Sequence, residues 1–178
     1  MTGGQHPAAE ASGPVFELQR VFDAPRELVF NVWTDAGHLA RWWGPAGSTI
    51  HVERLDLRPG GMFLYRLTLP EGYEMWGKFV YREIAPPERL VYISSFADAG
   101  GNTIRAPFSE TFPLELHNTL TLTEHEGKTA LALRTAPVEP TAAEREMFES
   151  FFDSMEQGFA GTMEQLTDYL DRVQVGNL

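Results

Sequence analysis

The feature that most restricts how this chain can fold is its C-terminal stretch, Thr141 to Val173. Phe148, Phe151, Phe152, Met155, Phe159, Met163, Leu166 and Leu170 recur there at steps of three and four residues. That spacing predicts one long helix with a continuous apolar face. Such a face has to lie on something large. The segments ahead of it carry strand-like patterns, so the partner available is the sheet they would build. A gap left between that sheet and that helix would be an apolar cavity. Ligand binding is therefore the first functional expectation.

The strand-like segments come as a run. Val15 to Phe22 alternates, with two parities open: Val15, Glu17, Gln19 and Val21 against Phe16, Leu18, Arg20 and Phe22. Ala24-Pro25 and Thr34-Asp35 then start two short helices. The first has an inner face of Leu28, Val29, Val32 and Trp33; Gly44-Pro45 stops the second. Strands follow over Ile50–Leu57, Gly61–Leu69, Tyr73–Ile84 and Arg89–Phe96, with Arg58-Pro59-Gly60-Gly61 in the order a type II turn wants. Pro107 and Pro113 argue against a central strand over Thr103–Thr111. From Leu114 the alternation is clear, with Leu114, Leu116, Leu120 and Leu122 on one side, and Thr129 to Thr135 returns beside it. Thr141 with Glu144 reads as a capping box for the long helix. A run of strands followed by a helix is the pattern of an α+β fold with an antiparallel sheet, here of about six or seven strands. Strong twist curls such a sheet, and a helix can fill its concave side.

One domain is expected for 178 residues, over residues 15–173, with residues 1–14 a Gly/Ala/Pro/Ser-rich disordered tail and 174–178 a short C-terminal tail. The first residues lack the basic start and apolar core of a signal peptide, and no apolar stretch is long enough to span a bilayer. The chain has no cysteine, which removes disulfides and thiolate chemistry and fits a reducing, cytoplasmic setting. A net charge of −11 without a basic run opposes nucleic acid and anionic membrane surfaces.

Several short motifs occur in order: Asp23-Ala24-Pro25, Val29-Phe30 with Trp33-Thr34, Trp42-Trp43-Gly44-Pro45, Leu57-Arg58-Pro59-Gly60-Gly61, Pro86-Pro87-Glu88-Arg89-Leu90-Val91, and Gly158-Phe159 through Leu166 to Tyr169-Leu170. No single one is specific. Together, in register over nearly all of Val15 to Leu170, they resemble the AHSA1-like proteins of the START/Bet v 1-like (SRPBCC) superfamily. The resemblance implies the helix-grip fold, a curved antiparallel sheet wrapped around a long C-terminal helix with a cavity between. The superfamily includes lipid carriers, hormone receptors and polyketide cyclases, so function has to come from the site. Phe159 stands where relatives often carry tryptophan, which alters the cavity's shape. The family name also implies a partner, a chaperone ATPase, although no residue here marks a surface for it. Homodimers are common among such assemblies, and nothing in the sequence identifies an interface.

The expected cavity wall is apolar, from Phe63, Phe79, Met155, Phe159 and Met163, with methionines suited to varied ligands. Tyr65 and Tyr81 share the parity of the two phenylalanines and are placed inward, with ordinary packing as the alternative. Asn118 interrupts the inward leucines; it is either an anchor for a ligand head group or a core amide satisfied by the protein. Trp43 is a candidate for the cavity mouth, and Trp42, Trp43 and Trp76 alternatively staple the short helix to the sheet. Entry is expected near Trp43 and the 103–113 segment. Arg54 and Glu74 are a candidate pair, buried or at the surface, and the parity of the strands around Arg54 and Tyr92 stays open.

The five histidines have no ligand spacing, and no catalytic, phosphate-binding or dinucleotide motif occurs, so no metal, cofactor or catalytic residue is expected. The first reading is a non-enzymatic binder of a small hydrophobic or amphipathic molecule. A cyclase- or hydrolase-type enzyme using Tyr65, Tyr81, Glu74 or Arg54 in the same cavity is the second. A chaperone-modulating module is the third.

Overall fold

The computed structural model describes residues 13–176. The expected N-terminal tail lies almost wholly outside these residues. In chain order the elements are β1 (Phe16–Phe22), α1 (Arg26–Thr34), α2 (Ala36–Trp42), β2 (Thr49–Leu55), β3 (Met62–Thr68), β4 (Glu74–Ala85), β5 (Arg89–Ala97), β6 (Thr103–Ile104), β7 (Leu116–His125), β8 (Lys128–Pro137), α3 (Ala142–Ser150) and α4 (Phe152–Gln174). The strands form one eight-stranded sheet in the order β1-β8-β7-β5-β4-β3-β2, with β6 paired to β5. Every pairing is antiparallel. This is the α+β arrangement expected from the element order and the helix-grip fold implied by the resemblance, with one strand more than the six or seven foreseen. The extra strand is the two-residue β6, from the segment whose prolines blur any pattern.

Register explains how the concave face is furnished. Tyr81 lies opposite Tyr92, Tyr92 opposite Asn118, and Asn118 opposite Thr135, which faces Phe16 across β1. The next inward row runs Phe63, Phe79, Ser94, Leu116. A third row places Tyr65 opposite Gly77, and Gly77 opposite Phe96. In β1 the parity left open by the sequence goes to Phe16, Leu18 and Phe22, which are buried, while Val21 is exposed. The β2–β3 connection has the expected type II geometry. Gly60 adopts φ +86°, and the Gly61 N–H donates to the Arg58 carbonyl at 2.7 Å.

Both ends of α2 and the start of α3 follow their capping signals. Asp35 accepts from the His38 N–H at 3.0 Å. The Thr141 hydroxyl accepts from the Glu144 N–H while the Glu144 carboxylate accepts from the Thr141 N–H, each at 3.0 Å. The single helix expected over Thr141–Val173 is instead two. The chain breaks at Phe151 (φ −95°, ψ 2°), whose N–H turns to the Phe148 carbonyl. The aromatic side chains account for the benefit of the break. Phe148 and Phe152 meet edge-on at 5.3 Å, whereas Phe151 stacks at 5.1 Å on Phe108 of the β6–β7 connection. Periodicity alone does not register this change of direction, because all three positions fall on one face of a straight helix.

The core is uneven along α4. Its second half, with Met163, Leu166, Tyr169 and Leu170 buried, packs against β1 and α2 in a filled region that includes Leu18, Leu120, Leu131 and Leu133. Its first turns, with Met155 and Phe159, are only partly buried. The hollow lies at that end.

Glu144 also fastens the β6–β7 connection. Arg105 donates to its carboxylate at 2.6 Å and to the Phe112 carbonyl at 3.1 Å. The Thr141 backbone N–H, and then Arg105, hold the carboxyl below its ordinary range. A lowered folded-state pKa means that the stabilisation is complete above the unfolded value, about 4.3, and is lost as pH falls through the folded value. Glu144→Gln is therefore expected to flatten the acid limb of a stability–pH curve. A curve of unchanged steepness between pH 5 and 3 would contradict it.

Candidate ligand cavity

Strand register decides where the sheet opens. β7 pairs with β5 only as far as Ser94, and β6 takes up pairing at Phe96. Between β6 and β7 the chain leaves the sheet and carries Phe108, Phe112 and Pro113 across toward Phe151. The space enclosed by this segment, the concave face of β3–β5 and β7, and the start of α4 is a cavity of about 340 Å³.

Of the residues singled out by sequence, Trp43, Tyr65, Phe79, Asn118, Met155 and Phe159 line this cavity together. Phe63, Tyr81 and Met163 do not. Phe63 is fully buried, edge-on to Phe79 at 5.2 Å and tilted against Tyr65 at 4.9 Å. Tyr81, also fully buried, sits 6.5 Å from Phe79. Met163 belongs to the filled half of α4. All three have the inward parity assigned to them. Alternation tells which face a residue occupies, and not whether its neighbours cover it.

Trp43 follows the last turn of α2, and its backbone N–H closes that helix on the Leu39 carbonyl at 3.0 Å. The next residue is held by α4: the Gln165 amide and Thr162 hydroxyl donate to the Gly44 carbonyl at 2.7 and 3.2 Å. The Trp43 ring meets Phe79 edge-on at 5.4 Å and Tyr65 at 6.1 Å. The aromatic set differs from the expected one. Trp33 joins Trp42 and Trp43 at centroid distances of 5.0 and 5.6 Å, so packing at the helix pair and lining the wall are both tasks of this cluster. Trp76 also borders the cavity; it lies opposite Arg66 in the sheet, and that guanidinium stands 5.8 Å over its ring.

Tyr65 lies across Gly77. A Cβ at that glycine would stand 2.4 Å from the phenolic oxygen, so the ring's seat requires the missing side chain. Burial raises the Tyr65 phenol to about 12, and a side-chain hydrogen bond from the Trp43 indole acts in the other direction. That contact lies outside regular hydrogen-bond geometry, and the indole nitrogen is covered by protein. Tyr92, whose parity the sequence left open, turns inward onto the wall and stacks on Phe79 at 4.0 Å. Its phenol is raised by burial, and further by the nearby Tyr81 and Tyr65 phenols. Both wall tyrosines are neutral at ordinary pH. Pairing aromatic residues across β4 and β5 was a signal that could have found Tyr92.

Asn118 is buried and its amide is committed to the protein. It donates to Ser94 Oγ at 2.9 Å and to the Leu116 carbonyl at 3.1 Å, and it accepts from the Thr135 hydroxyl at 2.7 Å. Of its two readings the satisfied amide describes these contacts, although the residue also borders the cavity. Arg54 and Glu74 are not partners. β3 lies between their strands, Glu74 pairs with Arg66, and the Arg54 guanidinium rests on Met62 Sδ at 3.6 Å. The Tyr81 hydroxyl is buried without a partner. Leaving it unmade costs desolvation, so Tyr81→Phe is expected to stabilise the fold by about 1 kcal/mol in a urea denaturation series. A loss of similar size would mean the hydroxyl does have a partner.

Among the described residues the cavity wall holds no acidic, basic or histidine side chain, and no His/Asp/Glu group is placed to hold a metal ion. No helix among them is long and apolar enough to cross a membrane.

Comparison with known proteins follows the same outline. No curated protein matches the chain. A protein of Arthrobacter aurescens, solved by solution NMR, is 27% identical with a TM-score of 0.75, over 90% of this chain and 88% of that one. A Mycobacterium smegmatis protein shares the fold at 22% identity and a TM-score of 0.71, over 94% of each chain. The AHSA1 protein of Silicibacter pomeroyi shares it at 19% identity and a TM-score of 0.67, over 89% of this chain and 98% of its own. The family model described as Activator of Hsp90 ATPase homolog 1-like protein matches residues 23–171, which span α1 through nearly all of α4. With sheet, gripping helix and sequence model in agreement, the chain belongs to the AHSA1 family.

Proposed function

We propose that the protein binds one small hydrophobic or amphipathic molecule between the concave face of its sheet and the first turns of α4. The observation that carries this reading is the cavity of about 340 Å³ walled by Trp43, Tyr65, Phe79, Tyr92, Met155 and Phe159. Ligand sites occupy about 300–1,000 Å³ and combine mostly apolar walls with a few polar groups. Removing apolar ligand surface from water is worth about 25 cal/mol per Å². The helix-grip fold generally binds hydrophobic ligands, and family membership adds that support. Phe108 and Leu114 are exposed large apolar residues that also border the cavity, which suits an entrance.

The uncharged probe N-phenyl-1-naphthylamine, whose emission rises when it leaves water, tests the reading. Saturable one-to-one binding is expected. Emission that climbs without saturating would overturn it.

A further inference from the structure

One polar side chain on this wall is oriented by the protein and left with bonding capacity to spare. Ser94 is only partly buried, and it borders the cavity from the inward row between Phe79 and Leu116. Its oxygen accepts from the Asn118 amide at 2.9 Å. The direction of that bond is fixed by its neighbours. The same Asn118 nitrogen donates to the Leu116 carbonyl at 3.1 Å, and a carbonyl can only accept. The other end of the amide takes the proton of the buried Thr135 hydroxyl at 2.7 Å. Thr135, Asn118 and Ser94 therefore form a chain of hydrogen bonds that runs from the interior of the sheet to the hollow. It ends on the Ser94 hydroxyl, whose proton and second lone pair this chain leaves uncommitted.

Ser94 lies toward the inner end of the cavity. Phe96 follows it by two residues on the same strand and meets Phe108, an exposed residue at the entrance, at 5.7 Å. On the inner side Ser94 is flanked by Phe79 and Leu116 across the sheet, with Tyr92 and Asn118 in the next row. A hydrogen bond formed among such neighbours is stronger than one formed in water. Among the described residues the wall has no charged side chain, so an ionised group placed here would lose its water without compensation. An uncharged oxygen loses less and finds a partner in Ser94. A ligand hydroxyl can pair with it in either direction, and a carbonyl oxygen can take its proton.

We infer that Ser94 is the polar anchor of the cavity, holding the hydroxyl or carbonyl oxygen of a ligand that is otherwise apolar and lies with that oxygen innermost. Asn118 and Thr135 are its positioning residues. The inference rests on the cavity being the binding site, as proposed above.

Two probes that differ by a hydroxyl in place of a methyl group, 2-naphthol and 2-methylnaphthalene, separate the two statements when used to displace N-phenyl-1-naphthylamine from the full chain at pH 7, where both are uncharged. Ser94→Ala is expected to raise the concentration of 2-naphthol needed by about fivefold to tenfold, the loss of one hydrogen bond in a dry site. The same variant is expected to shift 2-methylnaphthalene by less than about twofold, since that probe makes no such bond. Ser94→Thr keeps the hydroxyl and is expected to keep the 2-naphthol response. Ser94→Cys, with its weaker donor and acceptor, takes the place of Ser94→Ala if that variant fails to fold. Thr135→Val is expected to weaken 2-naphthol alone and by less than Ser94→Ala does; equal shifts for both probes would overturn its positioning role. In Ser94→Ala, equal weakening of both probes or an unchanged 2-naphthol response overturns the anchor and leaves the cavity reading standing. So does saturable binding of N-phenyl-1-naphthylamine that neither probe displaces. Failure of all three compounds to bind removes both.

Discussion

Phe148→Ala is expected to lower the unfolding free energy by about 3–5 kcal/mol, the usual loss for a buried phenylalanine truncated in a core. Phe148 is fully buried and sits where three pieces of chain meet. Its ring is 5.3 Å from Phe152 at the start of α4 and 6.3 Å from Phe112 in the β6–β7 connection, while its backbone belongs to α3. The surrounding rings are themselves held by further contacts, Phe152 edge-on to Phe16 at 5.6 Å and Phe112 to Phe151 at 5.3 Å. Collapse into the void is therefore restricted, which puts the cost toward the upper part of the range. For a domain of this size each kcal/mol moves the midpoint by about 2–4 °C. Thermal and denaturant unfolding should agree on a loss of that order. A change below about 1 kcal/mol would show that the break at Phe151 leaves α3 energetically separate from the core.

Leu116→Trp is expected to weaken N-phenyl-1-naphthylamine binding by about a hundredfold, equivalent to about 2.7 kcal/mol. Leu116 borders the cavity from β7, opposite Ser94 on one side and Pro137 on the other. A strand paired on both sides fixes the direction of its side chains, so the larger ring has to enter the hollow. The space is already there, and the overpacking penalty of about 1–3 kcal/mol met in filled cores should be largely avoided. Reduced binding with a nearly unchanged unfolding midpoint is the signature to look for. Undiminished affinity in a folded variant would put the probe elsewhere on the protein.

The cavity was only partly legible in the sequence. Six of the nine residues named in advance border it. The three that do not, Phe63, Tyr81 and Met163, share their facing with residues that do, such as Phe79 and Phe159. Tyr92 was undecided because Val91, Tyr92 and Ile93 are all buried, so β5 has no alternation from which to read a side. The 105–115 segment could be read only as a poor strand, yet Phe108, Phe112 and Pro113 close one side of the hollow. Arg54 and Glu74 looked like neighbours until strand order put β3 between them.

Local rules, acting within a few residues, specified most of the architecture. Alternation marked strands, Asp35 and Thr141 with Glu144 marked helix starts, Pro59-Gly60 marked a turn, and the spacing of Phe148 to Leu170 required a sheet to cover it. Tertiary structure alone decided that one half of α4 is packed solid and the other is not. It also decided that Asn118 spends its amide on Ser94, Leu116 and Thr135 while the Trp43 indole turns to the Tyr65 phenol. Those outcomes depend on which side chains arrive from distant strands to fill a shared volume, and residue spacing along one segment carries no information about that volume.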